Sequence, residues 1–214
     1  MADEFEKRLK DVYGAGGDRH RLDEAYSNWA GSYDVDLWAS GNPHPAIVNG
    51  MVGRNVPDLN ARILDAGCGT GLVGQILYQT GYRNLDGLDA SEGMLDVARA
   101  KGCYRNLYRL LLGERIDLEP STYDAVIASG VLTQGHAPPE SLDGLLTLAK
   151  SGARIIFSIS QIAIEEGGFG ERMRALDADR AWDLVEQTEP FRTFPFSDEY
   201  ADLRHWVCVY RKRG

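Results

Sequence analysis

The chain has 214 residues, 43% of them hydrophobic, and a formal net charge of -9. That is the size of one domain with enough apolar residues for a layered core, while the acidic balance and scattered Lys and Arg disfavour a nucleic-acid partner, whose phosphates require clustered cations. No apolar run is long enough to cross a bilayer, and the start Met1-Ala2-Asp3-Glu4-Phe5-Glu6-Lys7-Arg8 lacks the apolar core of a signal peptide, so a cytoplasmic protein with no membrane partner is expected.

Residues 1-20, with Gly14-Ala15-Gly16-Gly17, read as a mobile N-terminal extension with a short helix at Phe5 to Val12. A single domain is expected over 21-214, divided into a helical cap (21-57) and a core (58-214). In the cap, Ala25, Trp29 and Tyr33 recur every four residues beside Leu22 and Tyr26, which predicts an amphipathic helix from about Glu24 to Val35 with aromatics on its inner face. After the break Gly41-Asn42-Pro43-His44-Pro45, Pro45 suits the first turn of a helix carrying Ile47, Val48, Met51 and Val52.

Strand and helix then alternate. Arg62 to Ala66 leads into a helix over Leu72 to Thr80, and Leu85 to Asp89 into a helix over Ser91 to Lys101, capped by Ser91 and closed by Gly102. Strands at Leu107 to Leu112 and Ala125 to Ser129, a helix at Glu140 to Leu148, a strand at Arg154 to Ser160 and a helix at Gly170 to Gln187 follow. Strands near Phe191 to Phe194 and His205 to Arg211 complete the chain. This alternation predicts an α/β, Rossmann-like, doubly wound sheet, mostly parallel. The connection Phe196 to Arg204 is too short for a crossover helix, so the last two strands should pair antiparallel. Cys68, Cys103 and Cys208 form no C-x-x-C pair and read as small buried hydrophobes, with no metal site. No heptad or long exposed apolar edge argues for more than a monomer.

Two segments carry chemistry. In Asp65-Ala66-Gly67-Cys68-Gly69-Thr70-Gly71 a strand turns through glycines into a helix, which brings bare backbone against a ligand. The dinucleotide fingerprint places two residues before its third glycine, and a P-loop needs Gly-Lys-Ser/Thr; both patterns are missing. Asp65 sets a carboxylate there instead, suited to an ammonium group. Asp89 ends an apolar strand about 20 residues beyond the loop, where a doubly wound sheet holds ribose hydroxyls. An ammonium group and a ribose together fit S-adenosylmethionine.

These segments, with the strand Tyr123-Asp124-Ala125-Val126-Ile127-Ala128-Ser129, resemble the class I S-adenosylmethionine-dependent methyltransferases. Ala25 to Asp34 and Gly130 to Pro138 resemble, more narrowly, the methyltransferase-like family of the Williams-Beuren chromosomal region. The class implies a seven-stranded sheet with an antiparallel last strand, and S-adenosylhomocysteine as product. Gly67, Gly69 and Gly71 are then expected along the methionine portion, with Asp65 near its ammonium and Asp89 on the ribose. Ala90, Met94, Leu112 and Gly113 should border the adenine; Glu114 stands where many members place an Asp, and surface exposure fits it equally. Ser129 and Gly130 should lie under the transferable methyl, although helix packing also explains a glycine.

Tyr26, Trp29 and Tyr33 suit a lid over a sulfonium, and equally an ordinary core stripe. His136 faces the acceptor side as a candidate base, or as a polar loop residue. The expectation is methyl transfer to a small-molecule or protein acceptor. The alternative is a non-catalytic binding module acting through a partner, and a nicotinamide oxidoreductase is disfavoured by the glycine spacing.

Overall fold

The computed structural model describes residues 2-214. Four helices come first: α1 (Ala2–Tyr13), α2 (Arg19–Trp29), α3 (Tyr33–Ala39) and α4 (His44–Asn55). The core then runs β1 (Ile63–Ala66), α5 (Leu72–Gln79), β2 (Leu85–Asp89), α6 (Glu92–Lys101), β3 (Asn106–Arg109), β4 (Tyr123–Leu132), α7 (Ser141–Leu148) and β5 (Ala149–Ser160). The chain ends with α8 (Gln161–Glu165), α9 (Phe169–Ala178), β6 (Trp182–Gln187), β7 (Phe191–Arg192) and β8 (Arg204–Lys212).

The strands form one sheet in the order β3-β2-β1-β4-β5-β8-β6, with β7 pairing β8 off that path. β3 to β5 are parallel, and β8 runs antiparallel to β5, β6 and β7. The expected doubly wound sheet is therefore present, with β8 as the reversed strand. Alternate residues of each strand feed opposite layers, as the two-residue strand period requires. Leu64, Val126, Ile155 and Phe157 join one core, with Leu142 and Leu145 of α7. Ile63, Ala125, Ile127 and Ile156 join the other, with Val48, Met51 and Val52 of α4. Every residue of β1 is buried because helices cover both faces.

Several elements differ from the sequence expectation. Residues 1-20 are not a loose extension where described: Phe5, Leu9 and Val12 of α1 form a one-sided stripe packed on Trp29, Leu37 and Phe194. The Phe5 ring lies 5.9 Å from Trp29 and 5.5 Å from Phe194. The helix expected over Glu24 to Val35 is two helices, because the chain leaves helical geometry at Ser32 (φ -121°). The helix begins earlier too, at Arg19, since Asp18 Oδ1 accepts the His20 and Arg21 amides at 3.0 and 3.1 Å.

The helix expected over Gly170 to Gln187 stops at Ala178; Arg180 takes φ 53° and the chain re-enters the sheet as β6. Trp182 decides this, its ring stacking at 4.0 Å on Tyr210 of β8, a long-range contact that outweighs local helix preference. The strand near Phe191 to Phe194 shrinks to β7, and β3 ends at Arg109 rather than Leu112. β4 continues beyond Ser129, with an irregular register between Ala128 and Leu132. Cys68, Cys103 and Cys208 are free and buried. Among the described residues no helix is long and apolar enough to cross a membrane.

One buried charge ties three strands together. Asp86 accepts from Arg62 Nη2 at 2.9 Å, Asn106 Nδ2 at 2.7 Å and the Tyr123 hydroxyl at 3.1 Å. Asp86→Ala leaves the buried Tyr123 hydroxyl without its acceptor, and should cost about 2 kcal/mol. Urea unfolding checks this: the midpoint should fall with the slope unchanged, and an unmoved midpoint would remove Asp86 from the fold's stability.

Candidate functional site

Gly67, Gly69 and Gly71 take φ of 76°, 53° and 82°, values that side-chain-bearing residues rarely adopt. The turn is pinned to β2: the Gly67 and Cys68 amides both donate to the Leu88 carbonyl, at 2.8 and 2.9 Å. The Gly69 amide donates to Asp89 Oδ2 at 2.8 Å, and the Ser91 amide to Oδ1 at 2.9 Å. Asp89 thus closes one loop against the next. A carboxylate has about four acceptor positions, so these two amides leave positions for a ligand's hydroxyls. Burial raises the Asp89 pKa, with the amides of Ser91 and Gly69 opposing it.

These loops open onto a cavity of about 520 Å³. Of the expected residues, Gly67, Gly69, Asp89, Ala90, Met94 and Leu112 line its floor and one side. Ser129 and Gly130 of β4, His136, and Tyr26 and Tyr33 of the cap line the rest. A methyl group placed on Gly69 or Gly130 would meet no protein atom within 4 Å. Both glycines therefore leave room that a side chain would take from a ligand.

Four expected residues do not line this cavity. Gly71 begins α5 and Gly113 turns after β3; a Cβ on Gly71 would meet the Tyr104 ring at 2.9 Å, and one on Gly113 would collide with Pro138. Both keep their backbone shape for packing. Asp65 and Trp29 border a smaller chamber of about 90 Å³ behind the first. Trp29 is held there by its Nε1 bond to Asp36 at 2.7 Å and by Phe5.

Asp65 is 2% exposed. Its Oδ2 accepts the Tyr104 hydroxyl at 2.7 Å, and its Oδ1 has no partner. Burial pushes its carboxyl up to about 6, with Asp89 adding to the rise and the Tyr104 hydroxyl and the Gly74 backbone amide opposing it. An unpaired buried carboxylate oxygen beside a cavity favours a ligand donor or cation.

His136 donates and accepts in a fixed sense. Its Nδ1 lies 3.0 Å from the Gln134 carbonyl, which only accepts, so Nδ1 carries the proton in the neutral ring. Nε2 then accepts the Tyr26 hydroxyl at 2.7 Å. Burial lowers the His136 pKa, partly offset by the Gln134 bond.

The lid helix α2 meets the rim through two ion pairs, Arg19 with Glu114, and Arg109 with Asp23 at 3.2 Å. Glu114, with side-chain exposure of 53%, thus serves the rim. Arg19, Asp23, Arg109 and Arg115 also line the cavity and were not anticipated. The Asp18 cap was the missed signal, since starting the helix at Arg19 carries its first turn over the mouth. Tyr104, the partner of Asp65, follows a helix end and carries no motif.

The methyltransferase-domain family model matches residues 64-157. The chain is 30% identical over 190 residues to human methyltransferase-like protein 27, covering 80% of this chain and 78% of that protein. It is 30% identical over 159 residues to malonyl-[acyl-carrier protein] O-methyltransferase of Serratia marcescens, covering 73% of this chain and 58% of that one, less than two thirds of its length. A solved Synechocystis magnesium protoporphyrin IX methyltransferase with bound S-adenosylhomocysteine superposes with a TM-score of 0.58 at 21% identity, over 79% of this chain and 83% of that one.

The His136 geometry has a direct readout. In histidine-resolved NMR, His136 should be an Nδ1-H tautomer that titrates below the ordinary value of about 6.5. Tyr26→Phe should shift its Nε2 resonance. A His136 that titrates at or above the ordinary value would contradict the buried arrangement.

Proposed function

Because the chain belongs to the class I S-adenosylmethionine-dependent methyltransferases, we propose that it transfers the methyl group to a small-molecule acceptor held beneath the lid helices. One observation carries the reading. The larger cavity and the inner chamber share Gly67, Gly69, Ser129, Gly130, Tyr26 and Tyr33, so a cofactor in the first meets the second along the wall that the lid residues Tyr26 and Tyr33 cover. An acceptor carried by a macromolecule would have to reach that space through the lid. The alternative of a non-catalytic binding module has no support from relatives that carry transferase names.

The residues fit the cofactor on their own chemistry. When bound, S-adenosylmethionine supplies an activated methyl on a sulfonium and departs as S-adenosylhomocysteine. In this reading Asp89 accepts the ribose hydroxyls through its free acceptor positions. Asp65 Oδ1, the orphaned oxygen, takes the ammonium of the methionine portion. Gly69 and Gly130 admit the ligand against the backbone, and Ala90, Met94 and Leu112 flank the adenine. Tyr26, Tyr33 and His136 exclude water from the reacting side, where positioning and desolvation lower the barrier. His136 holds the Tyr26 hydroxyl in place and is the proposed base on that side, exchanging that bond for the acceptor's proton. The three free, buried cysteines support a reducing compartment such as the cytoplasm.

Titration calorimetry tests the reading. S-adenosylmethionine and S-adenosylhomocysteine should each bind with one-to-one stoichiometry and NAD should not; binding of NAD alone would sink it. Asp89→Ala should weaken both sulfur ligands at least tenfold while the protein stays folded, and unchanged affinity would remove Asp89 from the ribose site.

The Asp65 proposal sets a pH dependence. With its carboxyl at about 6, Asp65 is increasingly protonated as pH falls, and must lose that proton to pair with an ammonium. Affinity should therefore weaken below pH 6, approaching about tenfold per pH unit. Asp65→Asn should flatten the profile, and calorimetry across that range decides.

A further inference from the structure

Asp65 is held by a residue that lines neither cavity. Tyr104, in the loop between α6 and β3, donates its hydroxyl to Asp65 Oδ2 at 2.7 Å, and Oδ1 is left without a partner. Burial raises the Tyr104 hydroxyl well above its ordinary value of about 10, and the charge of Asp65 adds to the rise. The phenol therefore keeps its proton and remains a donor to the carboxylate.

Three glycines clear the way for this bond. A Cβ on Gly71 would meet the Tyr104 ring at 2.9 Å, one on Gly87 would meet it at 3.2 Å, and one on Gly74 would collide with the hydroxyl itself. Gly71 takes φ 82° and would be glycine for that reason alone. Gly74, inside α5, and Gly87, inside β2, do not have positive φ, and glycine in the interior of a helix or strand costs stability. Leu107 and Cys68 also crowd Gly87, but at Gly74 the three nearest atoms all belong to Tyr104. A buried turn of α5 thus gives up a side chain where the phenol reaches the carboxylate.

We propose that Tyr104 is a positioning residue for the cofactor: its hydroxyl fixes Asp65 Oδ2 and so keeps Oδ1 for the ammonium of the methionine portion. The assignment rests on the methyltransferase reading above. The terminal torsion of an aspartate is broad, so a carboxylate with neither oxygen held can turn, whereas one fixed oxygen sets the place of the other. The other groups facing Asp65 do not supply a cation. Asp89, from the end of β2, raises its pKa. Cys68 of the turn and Cys103 of the loop before Tyr104 are buried thiols whose own values rise, that of Cys103 to about 11, so both stay neutral. Against burial and Asp89 stand the Tyr104 hydroxyl and, with a smaller effect, the Gly74 amide of α5. Tyr104 therefore also favours the ionised carboxylate that an ammonium requires.

The sign of the pH effect follows. Without the hydroxyl the Asp65 carboxyl rises further above 6, so the pH below which cofactor affinity weakens moves upward.

The test uses the full chain, titrated by calorimetry with S-adenosylhomocysteine and with methylthioadenosine, which keeps the adenosine but lacks the amino-acid portion. Tyr104→Phe leaves the ring in its slot. It should weaken S-adenosylhomocysteine about tenfold at pH 6 and move the midpoint of the affinity profile up by about one pH unit, with methylthioadenosine affinity kept within about twofold. In an Asp65→Asn background the same substitution should change S-adenosylhomocysteine affinity by less than about twofold, because the hydroxyl acts through the carboxylate. Three results overturn the assignment: an unmoved profile, an equal loss for both ligands, or the full loss in the Asp65→Asn background. Should Tyr104→Phe not fold, the unaltered protein decides by carbon-13 NMR. The Tyr104 Cζ resonance should follow the titration of Asp65 near 6 and lose that step once S-adenosylhomocysteine saturates the site; a resonance that ignores pH in the free protein overturns the assignment equally. Failure of S-adenosylhomocysteine to bind the unaltered protein would instead bring down the cofactor reading, and is seen before any variant is made.

Discussion

The site depends on a turn held by three amides. Gly67 and Cys68 give theirs to the Leu88 carbonyl and Gly69 gives its own to Asp89, so the end of β1 cannot move without the end of β2. Each of these bonds needs a backbone path through positive φ at Gly67 and Gly69, open to glycine without strain. Asp89 is consequently both a fastener and a binding group. Its loss would free the loop as well as remove acceptor positions, which is why protein and ligand measurements have to be read together for that residue.

The lid follows from the same economy of contacts. α2 and α3 supply Tyr26 and Tyr33 to the cavity, but they are held from outside, by Phe5, Leu9 and Val12 of α1 and by the ion pair of Arg8 with Asp36. Asp36 also accepts from Trp29 Nε1, and Trp29 stands edge-on to Tyr33 at 4.8 Å. The first helix therefore supports the aromatic wall without touching the ligand space of the larger cavity. At the opposite rim the lid is held by exposed ion pairs, which salt screens and which contribute little each, and by the hydrogen bond between the Ser27 and Ser91 hydroxyls at 3.0 Å where α2 packs on Gly93 of α6.

What the sequence made legible was local. The glycine turn, the acidic strand end, the Ser91 cap and the Gly102 stop each follow from a few adjacent residues, and each is present. The parallel sheet followed from alternation, and the reversal of β8 from a connection too short for a crossover. The illegible parts were those decided at long range. Trp182 reads as helix until Tyr210 is beside it, and Phe5, Leu9 and Val12 read as a frayed end until Trp29 and Phe194 receive them. Gly71 belongs to the same signal as Gly67 and Gly69, yet faces Tyr104, and Gly113, placed beside the adenine by the resemblance, faces Pro138, because a glycine turn does not say what lies beyond it.

The inner chamber is the extreme case. Its polar wall draws on Asn42 and His44 before β1, Asp65 at the end of β1, and Thr193 and His205 flanking the last loop. No spacing rule joins these positions; only the closure of β8 against β5, which pairs Ser160 with His205, brings them to one end of the sheet. Burial then does the chemical selection. It keeps His44 neutral and raises the Asp65 carboxyl, while the orphaned His44 Nε2 and Asp65 Oδ1 oppose a purely apolar guest. Selectivity at this end of the site would come from the cost of leaving those polar atoms unmet.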